Sequence, residues 1–335
     1  MTVNSPLASP RATLDKLAAW GIITRKSLGQ HFLVDDGVVG RILRLAAIQQ
    51  DEAVLEVGPG IGTLTEALLL EGARVLAIEK DPRLLPILAD MKSRYPQSFD
   101  FLVADALEWE SDRGTTESDR GTVNLTTFQE KLSSFPSPCH FPSSCHSVSA
   151  PSSSVPPAPR PQPGKLVANL PYAVAATIVL DYFQRIDNIQ SATVMVQKEV
   201  AARMQAKPGS RDYGAYSVKL QLIAEPKGSF QVSRSCFLPP PRVDSTVIRL
   251  DRREDQIRPD EIPGTFKLIE AAFAERRKTI RNSMRSHLAL QGLDPGIVDI
   301  LLETAKIPPS NRAESLKPDE FQKLGRIFAI ITAQV

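Results

Sequence analysis

Four stretches of this 335-residue chain carry side chains able to hold a ligand and act on it: Glu56-Val-Gly58-Pro-Gly60-Ile-Gly62, Glu79, Asp105 and Asn169-Leu170-Pro171-Tyr172. Three glycines in five residues bare the backbone, so a ligand can approach without side chains in the way. The two oxygens of Glu79 can accept two hydrogen bonds at once. The Asn169 amide oxygen and the Leu170 carbonyl can accept both N–H bonds of an exocyclic purine amine, whose nitrogen then pyramidalises and presents its lone pair. No strong base is needed, because proximity and orientation carry such a displacement. Pro171 lacks an N–H and stiffens the turn. Tyr172 offers a ring for base stacking, a contact worth roughly 1 to 3 kcal/mol.

The elements that must position these residues are readable. Ala53–Val57 is a short apolar run of the kind buried in a parallel sheet. Thr63–Leu70 has helical spacing with Gly72 as its stop, and Arg74–Ile78 is a second strand with Glu79 at its carboxyl end, where open α/β sheets bind ligands. Phe99–Val103 is a third strand, so Asp105 faces the same crevice. Leu166–Ala168 is a fourth, ending at Asn169. Flanking helices are expected at Asp36–Ile48, with Asp36 as N-cap, and at Pro82–Met91. Residues 1 to about 12 read as a disordered tip before a short helix at Leu14–Trp20. Helix and strand follow at Ala173–Arg185 and Ser191–Val196. Val218–Ala224 and Gly228–Ser233 read as strands, with Thr246–Leu250 closing the sheet. Beyond Pro259 the pattern is helical, including Ile297–Thr304 and Pro318–Ile330.

Composition sets the limits. The net charge is +2, but Lys267, Arg276, Arg277, Lys278, Arg281 and Arg285 crowd one segment, as in surfaces that touch phosphate. Three cysteines make no disulfide framework and point to a reducing compartment, the cytoplasm. No apolar run approaches a membrane span. Residues 110–164 change character: ESDRGTT recurs as ESDRGTV, FPSPCH as FPSSCH, and Ser and Pro dominate. Such a segment reads as a disordered insertion. The adjacent Cys139-His140 and Cys145-His146 pairs lack zinc spacing, so no metal site is assigned.

Each singled-out residue also has an ordinary structural reading: Glu79 as a solvated acid, Asp105 as an N-cap, Asn169 as a turn residue, Phe237 as core, Arg276–Arg285 as a solvated helix face. Their joint occurrence in one chain order favours function. The glycine spacing excludes the dinucleotide fingerprint G-x-G-x-x-G, since Thr63 stands where the third glycine belongs, and with it a nicotinamide dehydrogenase. Glu56-x-Gly58-x-Gly60-x-Gly62 resembles motif I of the S-adenosylmethionine-dependent methyltransferases. Together with KSLGQHFL (Lys26–Leu33), IEKD (Ile78–Asp81), DAL (Asp105–Leu107), NLPY (Asn169–Tyr172), FLPPPRVDS (Phe237–Ser245) and AAFAERRKTIRNS (Ala271–Ser283), it makes the chain similar to the 16S rRNA adenine-N6,N6-dimethyltransferases.

The resemblance implies an α/β fold: a Rossmann-like S-adenosylmethionine-dependent methyltransferase domain over 26–255, interrupted by the insertion 110–164, with an N-terminal extension 1–25. A small all-helical rRNA-binding domain over 256–335 would follow. It implies that His31, where many relatives carry Asn, and Leu33 contact S-adenosylmethionine. Gly58 and Gly60 would line it, Glu79 hold its ribose, Asp105 its adenine amine, and Asn169 both cofactor and target. Asn169, Leu170, Pro171 and Tyr172 would form the catalytic turn, with Phe237 as a second aromatic facing the extruded base. Arg276, Arg277, Lys278 and Arg281 would touch rRNA. The substrate would be two adjacent adenosines in the 3′-terminal hairpin of 16S rRNA within the immature small ribosomal subunit, acted on by a monomer. The alternatives are a 23S rRNA adenine-N6 methyltransferase and a catalytically silent nucleic-acid-binding assembly or transcription factor.

Overall fold

The computed structural model describes residues 4–22, 30–108, 164–290 and 294–333. They form two compact units, one from the residues up to Asn169 with Ser235–Pro240, the other from Leu170–Arg234 with Pro241 onward. The insertion read at 110–164 lies outside the described residues except for Gly164, whose N–H donates to Ala53 O at 3.1 Å.

The first unit is built on four parallel strands in the order β4 (Phe99–Val103), β3 (Arg74–Glu79), β2 (Ala53–Val57), β5 (Lys165–Asn169). Every residue of β2 is buried, as a mostly apolar strand inside a parallel sheet requires, and this includes the ionisable Glu56. Registers Val57 to Ile78 and Glu79 to Val103 align the carboxyl ends of the strands along one edge. The helices are α1 (Pro10–Ala19), α2 (Asp36–Ala46), α3 (Thr63–Leu70) and α4 (Leu85–Arg94), the last preceded by a 3₁₀ turn at Pro82–Leu84. A separate two-stranded ladder joins β1 (Phe32–Leu33) to β8 (Phe237–Leu238), antiparallel, with Phe32 opposite Leu238 and Leu33 opposite Phe237.

Two N-terminal expectations are corrected. Residues 4–9 are tied down rather than disordered, because Asp36 accepts from the Ser5 N–H at 2.8 Å and from Asn4 Nδ2 at 2.9 Å, and Ser9 caps α1. The N-cap of α2 is Asp35, not Asp36: Asp35 Oδ1 accepts from the Val38 N–H at 2.9 Å, the geometry that satisfies an orphan helix donor. Asp36, freed from capping, holds the N-terminal strap. Burial pushes its carboxyl up, but the bonds from Ser5 and Asn4 outweigh this and leave it below its ordinary pKa.

The second unit contains α5 (Ala175–Arg185), β6 (Ser191–Gln197), α6 (Lys198–Met204), α7 (Ala215–Gln221), β7 (Ala224–Val232) and β9 (Ser245–Arg252). Val218–Ala224, read as a strand, is mostly helix α7, and the strand begins at Ala224. Over Val218–Leu222 apolar residues alternate with Lys219 and Gln221, a pattern too short to separate the two periods by itself. Here the Gly214 carbonyl accepts the Val218 N–H and Ser217 Oγ accepts the Gly214 N–H, which starts a helical turn. β9 does not close this sheet. It pairs antiparallel with both β6 and β7, leaving β7, with Pro226 and a register shift before Gly228, in the position that tolerates proline. Helices α8 (Ile262–Phe273), α9 (Ile280–Leu290), α10 (Ile297–Ala305) and α11 (Pro318–Thr332) follow, packed through Tyr213, Phe273 and Phe321 with ring centroids 5.8 to 6.2 Å apart. Among the described residues no helix is long and apolar enough to cross a membrane.

Candidate active site

The edge where β2 to β5 end collects the expected ligand-binding residues of the first unit. Gly58 follows β2 with φ +71° and its N–H donates to Ile78 O at 2.9 Å, locking the loop onto β3. Gly60, at φ +61°, turns its N–H to Glu79 Oε2 at 3.3 Å. A side chain there would be strained by that φ and would also meet Phe32 at 3.2 Å, so bare backbone is a requirement of this loop. Glu79 ends β3, and its second oxygen accepts from the Asp81 N–H at 2.8 Å.

The carboxylates at this edge differ in their electrostatics. Glu79 is 7% exposed, and burial pushes its pKa up against the lowering effect of the Asp81 and Gly60 N–H groups. Glu56, beneath the loop, is more extreme. Burial, relieved in part by the Thr65 hydroxyl donating at 2.6 Å, raises it to about 8, so it is a neutral acid at pH 7. Asp105 goes the other way. Burial pushes it up, but Lys80 Nζ and the Leu107 N–H at 3.0 Å hold it below the ordinary range and therefore ionised.

The β1–β8 ladder brings His31 to the same unit. Its Nδ1 lies 2.8 Å from Pro239 O, a carbonyl that only accepts, so Nδ1 carries the proton. The His31 carbonyl in turn accepts from Asn169 Nδ2 at 3.3 Å. That contact assigns the amide orientation: the NH2 end is turned to a carbonyl, and Oδ1 is the end left to receive a donor. Leu33 is buried against its neighbours at 4% exposure. Phe237, opposite Leu33 in the ladder, is 2% exposed.

Leu170, Pro171 and Tyr172 continue the chain into the second unit. There the Leu170 N–H donates to Met195 O at 3.1 Å, and the half-buried Tyr172 shares a hydrogen bond between its hydroxyl and Ser245 Oγ at 2.6 Å. In the same unit Arg276, Arg277 and Lys278 are exposed. Arg276 reaches Glu314 at 3.7 Å and Arg211 O at 3.1 Å, Lys278 pairs with Glu275 at 2.7 Å, and Arg281 and Arg285 share Asp299.

Several participants escaped the sequence reading. Lys80 pairs with Asp105, and Gln30 Nε2 donates to Asp81 Oδ2 at 2.7 Å. Lys80 adjoins Glu79 and Gln30 adjoins His31, so proximity to a motif was the available signal. Of the KSLGQHFL motif, Lys26–Gly29 lie outside the described residues. Thr63, in place of the third glycine, has a buried hydroxyl without a hydrogen-bond partner.

Comparison with known proteins decides the class. A family model described as ribosomal RNA adenine dimethylase matches residues 23–329. The chain belongs to the ribosomal RNA adenine dimethylase family. The dimethylase is 36% identical over 332 residues to the ribosomal RNA small subunit methyltransferase A of Enterococcus faecalis, covering 97% of each chain. It is 34% identical to the protein of that name from Staphylococcus aureus, covering 97% of this chain and 96% of the other. Among solved structures it is similar to a dimethyladenosine transferase from Plasmodium falciparum (TM-score 0.64, 21% identity, 90% and 98% of the two chains). It is also similar to the 23S rRNA methyltransferase ErmE (TM-score 0.55, 23% identity, 89% and 99%). These two likenesses establish the Rossmann-like methyltransferase fold. The dimethylase is thus an RNA-binding enzyme that methylates adenine in ribosomal RNA.

Proposed function

We propose that this dimethylase takes methyl groups from S-adenosylmethionine and dimethylates N6 of two adjacent adenosines in the 3′-terminal hairpin of 16S rRNA, within the immature small ribosomal subunit. The reading has the enzyme act as a monomer in the cytoplasm. Its choice of RNA follows the small-subunit methyltransferases to which the chain is 33 to 36% identical over nearly its full length.

The residues fit the cofactor. The loop Gly58, Pro59, Gly60, Ile61 and Gly62 departs from the dinucleotide spacing at Thr63, while buried Glu79 suits a ribose diol and ionised Asp105 an adenine amine. The orphaned Thr63 hydroxyl at the head of α3 is a buried polar group that a ligand atom would satisfy. His31, Leu33, Gly58, Gly60, Glu79, Asp105 and Asn169 are the residues assigned to hold it. When bound, the cofactor's sulfonium supplies an electrophilic methyl carbon.

The single observation that carries the catalytic reading is the Asn169 amide, turned by the His31 carbonyl so that Oδ1 is its acceptor end. An adenine N6 has its lone pair delocalised into the ring. With Oδ1 of Asn169 and the adjacent Leu170 carbonyl accepting its two N–H bonds, that nitrogen pyramidalises and becomes nucleophilic; orientation drives the displacement, and the methylated, cationic nitrogen is acidic enough to lose its proton to solvent afterwards. Pro171 stiffens the turn and Tyr172, anchored through its hydroxyl on Ser245, stacks on the extruded base. Residues 256–335 form the part that grips rRNA, with Arg276, Arg277, Lys278 and Arg281 at phosphate.

The test is transfer of labelled methyl groups from S-adenosylmethionine to immature small subunits and, in parallel, to isolated 23S rRNA. Label is expected in two adjacent small-subunit adenosines. Asn169→Ala should lower kcat by about a hundredfold or more, the scale of losing an oriented hydrogen-bond acceptor in the transition state. Label in 23S rRNA alone, or full speed in the variant, would overturn the reading.

A further inference from the structure

Phe32 lies between two residues assigned to the cofactor, His31 and Leu33, yet its side chain goes elsewhere. It is 7% exposed and sits in one apolar cluster with Leu17 of α1, Ile61 of the glycine loop, and Leu84 and Ile87 at the start of α4. Its ring edge also lies against Gly60: a Cβ on that glycine would stand 3.2 Å from Cε1 and 3.4 Å from Cδ1. Gly60 is the residue whose N–H reaches Glu79 Oε2, and Ile61, fully buried, is its neighbour in the chain. The backbone of Phe32 is fixed as well, since β1 is tied to β8 opposite Leu238 and the adjacent Val34 N–H donates to Cys236 O at 2.8 Å.

These contacts form a continuous line from α1 to the ribose-binding acid: Leu17, Phe32, Gly60, Glu79. A loop of three glycines has little stiffness of its own, because each glycine gives up more conformational freedom on ordering than any other residue. Something outside the loop must therefore set its height and the direction of the Gly60 N–H. A rigid ring packed on that glycine does this by steric contact.

We propose that Phe32 is a positioning residue for the methyl donor, a brace on Gly60 that aims its N–H at Glu79 and so presets the carboxylate for the ribose, with α1 backing the brace through Leu17. The proposal rests on the cofactor reading above. It adds that the N-terminal helix, remote in sequence from the glycine loop, contributes to cofactor affinity.

The experiment measures S-adenosylmethionine affinity by calorimetry, affinity for immature small subunits, and melting temperature, on the full chain. Phe32→Ala should weaken cofactor binding about tenfold, the loss of one well-placed hydrogen bond to a charged group, with RNA affinity unchanged. Phe32→Leu, which keeps the core filled, should show a smaller loss of the same kind. Ile87→Ala, in the same cluster but assigned no part in the brace, should lower the melting temperature while cofactor affinity stays within about twofold. Gly60→Ala tests the contact itself, because the added methyl collides with the ring. Its cofactor defect should be relieved in part when combined with Phe32→Leu. Equal affinity losses for Phe32→Leu and Ile87→Ala at matched melting temperatures, or additive defects for Phe32→Leu and Gly60→Ala, would overturn the brace. A wild-type chain that fails to bind S-adenosylmethionine at all would instead sink the cofactor reading, and the brace with it.

Discussion

The strand-end carboxylates of the first unit and the basic run of the second are both clusters of charge, built on opposite principles. Glu79 is 7% exposed and each of its oxygens accepts a backbone N–H; Glu56 is 1% exposed and holds a proton instead. Arg276, Arg277 and Lys278 lie at the surface, and Arg276 and Lys278 share their charge with Glu314 and Glu275. A buried acid is fixed in place and its ionisation is coupled to its surroundings, so it can recognise one small ligand by geometry. An exposed cation is screened by salt and individually weak, so it serves a polyanion by number.

The comparison breaks first at Glu79, where the largest effect is expected. Glu79→Gln should weaken S-adenosylmethionine binding on the order of tenfold to a hundredfold, as removal of charge-assisted hydrogen bonds does. The sign of the pH dependence follows from the raised pKa: the ionised form accepts from the ribose, so wild-type affinity should fall as pH drops through a value above that of ordinary glutamate. The variant's affinity should be flat over the same window. Calorimetry run upward in pH from the ordinary glutamate value decides, and parallel curves would remove Glu79 from the ribose.

At the surface, reversing Arg276, Arg277 and Lys278 to Glu should weaken rRNA binding and flatten its salt slope by roughly 0.7 to 0.9 for each phosphate no longer neutralised. Cofactor affinity should be unchanged. Because Arg276 also bonds to the carbonyl oxygens of Arg211 and Tyr213, the exposed Arg277 alone is the cleaner variant. An unaltered salt slope would leave Arg276, Arg277 and Lys278, which lie in the turn between α8 and α9 rather than on the helix face read from sequence, as ordinary solvated surface.

Glu56 sharpens the contrast from the side of stability. Folded, it keeps its proton to about pH 8, while in the unfolded chain it releases near the ordinary value of 4.5. The folded state therefore binds the extra proton between these values. The stability this gives is full below 4.5 and is lost as pH rises to about 8, by at most about 1.4 kcal/mol per pH unit. Glu56→Gln, which imitates the neutral acid and can still accept from Thr65, should lose that slope. Chemical denaturation near either end of that window measures it, and an equal slope in both proteins would show Glu56 ionised in the fold.

The two regions also differ in how far the sequence reveals them. Strands β2, β3 and β4 are readable to within a residue, because each is a short, mostly apolar run ended by a glycine or an acid. The site's sequence-local features, from Gly58 to Glu79, are readable for the same reason. What stays hidden depends on partners far apart in the chain. The β1–β8 ladder joins Phe32 to Leu238, His31 meets Pro239, and Asn169 meets His31 O. No local pattern encodes such pairings. In the second unit, Asp299 and Glu314, which pair with the basic run, lie well downstream of it, so the run reads as more bare than it is.

The smallest expected effect belongs to the Ser/Pro-rich insertion. β5 is placed by its pairing with β2, Val54 to Lys165 and Leu55 to Leu166, and Gly164 bonds back to Ala53 O, so the register of the fourth strand is set by residues at or beyond the insertion's end. Loop-closure entropy changes by only about 0.6 kcal/mol for each doubling of length, so a long insertion here costs little and its removal returns little. Deleting Gly114–Pro161 should therefore leave cofactor affinity within about twofold and shift the melting temperature by a few degrees at most, of the order expected for a change near ~1 kcal/mol. A deletion variant that folds but no longer binds cofactor would place the insertion's residues among those that form the pocket, and the carboxylate edge could no longer be treated as complete in itself.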